Sequence, residues 1–184
     1  MPGKARFIAV PIALIGSAFI LPPLGASRVY ASPDEVEWET AKSPDGCRSC
    51  HLGTADAPGP AALTIEGLPS QPEPGTAYAL SVILEHPALR NAGFLLSVES
   101  NDEPAGALTP TDQRAETNGS SARSTWEGSF PAEPGKARWE LVWTAPDPAD
   151  GPIEFSLWGN AGNDDLSPLG DHPVHRTWQI AIAP

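Results

Sequence analysis

From Ala61 onward the chain reads as short runs in which apolar and polar residues alternate, the two-residue period of strands that bury one face. In AYALSVILEH, Tyr78, Leu80, Val82 and Leu84 share a face; in GFLLSVES, Phe94, Leu96 and Val98 do. KARWELVWTA places Ala137, Trp139, Leu141 and Trp143 together, with Arg138 and Glu140 opposite. PIEFSLW contributes Ile153, Phe155 and Leu157, and VHRTWQIAIA contributes Trp178, Ile180 and Ile182, with His175, Thr177 and Gln179 on the other side. Shorter candidates are ALTIEGL, AGALTP and RSTWEGSF. Turn residues fill the gaps, at Pro74-Gly75, Asn118-Gly119, Pro134-Gly135 and Asp147 to Gly151. About eight strands predict an all-β fold, an immunoglobulin-like antiparallel β-sandwich over residues 62–184. The 22 prolines and 17 glycines agree with short strands and argue against long helices.

The residues ahead of this region have no such period. Residues 1–31 read as a signal peptide: Lys4 and Arg6 precede an apolar run from Phe7 to Leu21, and Ala31 offers a cleavage site. Pro11 and Pro22-Pro23 shorten the apolar span below a membrane crossing, so no membrane span is expected after cleavage. The expected location is periplasmic or secreted. Residues 32–61 read as an irregular segment. The formal charge is −12, and becomes −15 once Lys4, Arg6 and Arg28 leave with the signal. Such a chain repels phosphate backbones and anionic lipid, which excludes nucleic acid and favours, if any, a basic protein partner.

The irregular segment carries DGCRSCHLG, with the only two cysteines, Cys47 and Cys50, and His51 directly behind. Cysteines three apart form thioether bonds to the two vinyl groups of a haem, and the following histidine reaches the iron, so C-x-x-C-H predicts covalent haem c. Attachment happens outside the cytoplasm, where the export signal sends the chain. Gly46 and Gly53 flank the motif and would let the backbone turn closely about a flat macrocycle. Two other readings share these residues. A structural or catalytic disulfide needs only Cys47 and Cys50, although the βαβ context of a thioredoxin-like catalyst is missing. A zinc site would need four ligands.

Met1 is the only methionine, so a sixth iron ligand must come from His86, His172 or His175. If consecutive strands alternate direction, the second strand ends at His86 beside the haem segment, and the last strand starts at the opposite end. His86 is therefore the expected distal ligand, and His172 and His175 are expected far away. The loop GNAGNDDLSPLGD gathers Asn160, Asn163, Asp164, Asp165 and Asp171, but its spacing departs from the calcium-loop pattern and fits Asx-turns better. Trp158 falls on the polar side of its strand, where it could flank a haem or a partner, with an edge position the simpler reading. No G-x-S-x-G, H-E-x-x-H or phosphate-binding glycine loop is present, so no enzyme is expected beyond peroxide or gas chemistry at a haem.

The landmarks also have an order. The C-x-x-C-H motif is followed by Gly67-Leu68-Pro69, Pro74-Gly75 with Tyr78, Gly93-Phe94, Ala105-Gly106 and Trp143-Thr144-Ala145-Pro146. Gly159-Asn160-Ala161, Asn163, Ser167-Pro168 and Gly170-Asp171 close the series. From about Gly46 to the C-terminus this resembles bacterial exported proteins with a Reeler-like domain, the choice-of-anchor V type. The resemblance implies an immunoglobulin-like sandwich, often with a c-type haem motif ahead of it, and hands over no catalytic residue. Members often carry a C-terminal anchor; this chain departs there, ending at Pro184 just after a strand. The expected function is an exported monohaem protein for electron transfer or redox sensing. The alternative is a binding or adhesion module in which the Cys pair is a disulfide.

Overall fold

The computed structural model describes residues 37–53, 61–148, 151–165 and 167–181. The expected signal segment, residues 1–31, lies outside them. Ten strands are described: β1 (Ala62–Glu66), β2 (Ala77–Glu85), β3 (Asn91–Ser100), β4 (Glu103–Pro104), β5 (Ala107–Pro110), β6 (Ala115–Asn118), β7 (Ser121–Ser124), β8 (Lys136–Thr144), β9 (Ile153–Gly162) and β10 (His172–Ile180). One sheet has the order β1-β2-β8-β5, the other β10-β9-β3-β7-β6, with β4 added beside β3. Every strand pairing is antiparallel.

The alternating residues meet between the sheets. Leu80, Val82, Leu84, Trp139, Leu141 and Trp143 from one sheet pack on Phe94, Leu96, Val98, Phe155 and Leu157 from the other, all at most 2% exposed. The Phe94 and Trp139 rings are 4.8 Å apart and tilted, and Trp143 and Phe155 meet edge to face at 5.0 Å. Both core indoles satisfy their N–H, Trp139 on the Gly128 carbonyl at 3.0 Å and Trp143 on that of Ala105 at 3.1 Å. This is the expected antiparallel β-sandwich.

Among the described residues the lead-in is less irregular than the sequence pattern suggests. Trp38–Lys42 and Gly46–Ser49 form 3₁₀ turns, and they lie over the outer face of the larger sheet. Two further differences change what the fold places together. RSTWEGSF contributes only the end of β7, after which Glu127–Ser129 forms a 3₁₀ turn. The strand before it, β6, lacks an apolar alternation and escapes the sequence pattern. It pairs with β7 through a turn at Asn118-Gly119. One overlooked strand reverses the direction assigned to each later one.

The chain crosses between sheets at Ala105-Gly106, just before β5. Gly106 has φ +76°, and a Cβ there would fall 2.2 Å from the Thr144 carbonyl oxygen. Only glycine fits that crossing without displacing backbone.

Candidate functional site

A row of side chains crosses the outer face of the larger sheet. Leu95 on β3 is paired with Arg123 on β7 and with Trp158 on β9, and Trp158 with His175 on β10. Leu95 and Trp158 both face away from the main core yet are buried. The lead-in covers them: Ala41, Leu95 and Trp158 form a second apolar cluster, and Cys47 packs against it. The Arg123 guanidinium lies 4.4 Å over the Trp38 ring, and that of Arg48 lies 5.4 Å over Trp158. On its other contact Trp158 stacks on His175 at 4.4 Å.

Trp158 is therefore not at a sheet edge. β9 lies between β10 and β3, and the polar-side parity of Trp158 signals a covering segment instead. Gly46 makes the docking possible: its φ is +39°, and a Cβ would fall 2.1 Å from Trp158 Cε2. The glycine ahead of the motif thus serves close approach to an indole.

The turn after Gly46 presents the motif. The Cys47 carbonyl accepts from the His51 N–H at 2.9 Å and the Cys50 N–H at 3.4 Å. Cys47 packs against the apolar cluster beneath the turn, and Cys50 closes the turn at its C-terminal end. Both are free thiols, Cys47 half-buried and Cys50 exposed. Burial first, and then the neighbouring Cys50, push the Cys47 thiol up to about 12. A Cys47 thiol so reluctant to ionise is a poor attacking group near neutral pH.

His51 is anchored from beneath. Its Nδ1 lies 2.5 Å from Asp171 Oδ2 and 3.0 Å from Asn160 Nδ2. A ring nitrogen that close to a carboxylate oxygen carries the shared proton, so Nδ1 donates to Asp171, and in the neutral ring Nε2 then holds the lone pair. Asn160 Nδ2 also donates to Asp171 Oδ2 at 3.2 Å, and the Asn163 N–H to Oδ1 at 3.3 Å. Burial works to raise the Asp171 carboxyl, but the bonds from His51, Asn160 and Asn163 outweigh it and hold it below the usual carboxylate range. Behind His51, Leu52 makes a parallel bridge to Leu169: its N–H donates to the Pro168 carbonyl at 2.7 Å and its carbonyl accepts from Gly170 at 2.8 Å. Leu52 and Leu169 are both more than half exposed.

The loop read as rich in oxygens divides in two. Asn163 Oδ1 accepts from the Asp165 N–H at 3.1 Å and Asp165 Oδ1 from Ser167 at 2.9 Å, the Asx-turns expected of it. Asn160 and Asp171 belong instead to the His51 anchor. Among the described residues no group of three or more His, Cys, Asp or Glu side chains is placed to hold a metal ion.

His172 and His175 are not remote from the motif. β10 starts beside the end of β9, which ends beside the start of β3, just after His86. The cause is β6: with it, β10 starts at the end of the sandwich where the motif lies. The His86 and His172 rings are 3.9 Å apart, both buried. His172 shares the inward side of β10 with Val174, whereas Asp171 and His175 face outward toward the motif. The structure thus brings His51 to Asp171 and Asn160, and His86 to His172, on opposite sides of β10. It does not bring His86 opposite His51. The sequence signal for Asp171 was present in Gly170-Asp171, one residue before a strand, but nothing in the pattern pointed it at His51.

No family description matches the chain, and no curated protein matches it. Similar solved structures include the reeler domain of human F-spondin, 16% identical over 71% of this chain and 95% of that one, with a TM-score of 0.47. The Reelin-N domain of F-spondin is 17% identical over 76% and 97%, with a TM-score of 0.48. A DUF4466 family protein from Parabacteroides merdae is 15% identical over 66% of this chain and 44% of that one, with a TM-score of 0.44.

Proposed function

We propose that this chain is an exported, Reeler-like protein carrying one covalent haem c, and that it transfers electrons or senses redox state. One observation carries the reading: in a C-x-x-C-H motif the histidine donates Nδ1–H to a buried carboxylate and leaves Nε2 for a metal. Histidines that ligate metals are almost always held this way through their second nitrogen. Cys47 and Cys50, three apart at a surface turn, would form the thioethers, and His51 Nε2 would reach the iron. Bound there, the haem supplies a one-electron couple. The chain contributes the tether, the fixed imidazole and the apolar surface of Leu52 and Leu169 beside it. The expected setting is periplasmic or extracellular, with a basic protein as redox partner for an acidic chain.

Among the described residues no helix is long and apolar enough to cross a membrane. A second reading, a binding module, draws on Trp126 and Phe130, which stand edge to face at 5.3 Å and are 56% and 46% exposed. A spectroelectrochemical titration and a peroxide assay separate the possibilities. Electron transfer predicts a reversible one-electron wave and no peroxide consumption. Steady peroxide consumption by the haem protein would favour catalysis at the iron. Partner binding that survives in a Cys47→Ser/Cys50→Ser variant would favour the module.

A further inference from the structure

We propose that Asp171 is a positioning residue that fixes the His51 proton on Nδ1 and makes His51 a strongly donating ligand, so that the site works at low reduction potential. The inference rests on the haem reading above and names the kind of redox chemistry the site would support.

Three features of the site carry it. The acceptor for His51 Nδ1–H is a full carboxylate charge and not a neutral carbonyl, and charge-assisted hydrogen bonds are the shorter and stronger kind. The Asp171 side chain is only 6% exposed, so water screens that charge weakly. Finally, the carboxylate is itself held: Asn160 Nδ2 fixes Oδ2 and the Asn163 N–H fixes Oδ1, so it cannot swing away from the ring. Reversing the Asn160 amide would bring its oxygen against Asp171 Oδ2, so Nδ2 faces the carboxylate and is its second donor beside the ring.

A buried anion behind the imidazole pushes electron density toward Nε2 and stabilises whichever metal state carries more positive charge. That state is the ferric one, so the carboxylate lowers the potential. The change of oxidation state is one electron exchanged with a reduced protein partner; the proton remains on Nδ1 and no bond at Asp171 breaks.

Two measurements test this. In the haem-free chain, ¹⁵N NMR of His51 should show the Nδ1–H tautomer in the wild type and a shift toward Nε2–H in Asp171→Asn, which keeps the shape and removes the charge. In the haem-loaded proteins, Asp171→Asn should favour reduction at least tenfold, an upward shift of about 59 mV for one electron. A wild-type His51 carrying its proton on Nε2, or a potential unchanged in folded Asp171→Asn, would overturn the proposal. If neither protein takes up haem, the functional reading fails, and the NMR comparison still decides whether Asp171 sets the tautomer.

Discussion

Gly46 lies against the indole of Trp158, so close that a Cβ on Gly46 would overlap the ring at 2.1 Å. This contact seats the Cys47–His51 turn on the sandwich. Gly46→Ala should undock the turn, costing about 1–3 kcal/mol for an overpacked contact, with added strain at a positive φ. Hydrogen exchange checks it: the Thr40, Ser43 and Arg48 amides, bonded within the lead-in, should lose protection, while the strands stay protected.

Trp158→Ala tests the same seat from below. Trp158 is 1% exposed on the outer face, and large-to-small replacements of buried aromatics cost about 3–5 kcal/mol. Urea unfolding should show a loss of this size. A loss below about 1 kcal/mol would mean that the lead-in does not cover the sheet.

His86→Ala should leave the ferric spin state of the haem protein unchanged, because His86 stacks on His172 at 3.9 Å on the inward side of β10. The variant should instead lower stability by about 1 kcal/mol or more, as the buried stack is lost. A conversion from low to high spin would show that His86 reaches the iron.

Much of the sandwich was legible in the sequence, because strands with one buried face leave a two-residue period. The strand positions of β2, β3, β8, β9 and most of β10 follow from it. β6 was not legible: Ala115–Asn118 has one apolar residue, and its place depends on pairing with β7 rather than on its own pattern. That single omission inverted the direction of β10 and removed His172 and His175 from the neighbourhood of the motif. The site was half legible. C-x-x-C-H stands in the sequence, whereas the pairing of His51 with Asp171 spans 120 residues and depends on which strand ends meet. Leu95 and Trp158, both apolar on the supposedly wet side of their strands, were the trace of the covering segment.

Stability should fall with acid in two windows. Burial, then the Arg48 charge, depress His175 below its usual value near 6.5, against an opposing pull from Glu154. A depressed histidine contributes stability fully above about 6.5, and loses it as pH falls through its folded value. Glu140 is also held low: burial would raise it, but bonds from Ser81 and Arg138 prevail. Its contribution is present above about 4.5 and is lost below that. The drop in urea midpoint between pH 7.5 and 5.5 should shrink in His175→Gln. Between pH 5 and 3.5 it should shrink in Glu140→Gln. Unchanged drops would refute these assignments.

The most direct test of the account is whether haem becomes covalently joined to Cys47 and Cys50. The chain is exported in a host with haem-ligation machinery, purified under denaturing conditions and read by its alkaline pyridine spectrum and intact mass. The account predicts a haem c spectrum and the mass of the mature chain plus one haem, both abolished in Cys47→Ser/Cys50→Ser. A colourless wild-type protein with the mass of the bare chain, or two hydrogens lighter for a Cys47–Cys50 disulfide, would contradict it.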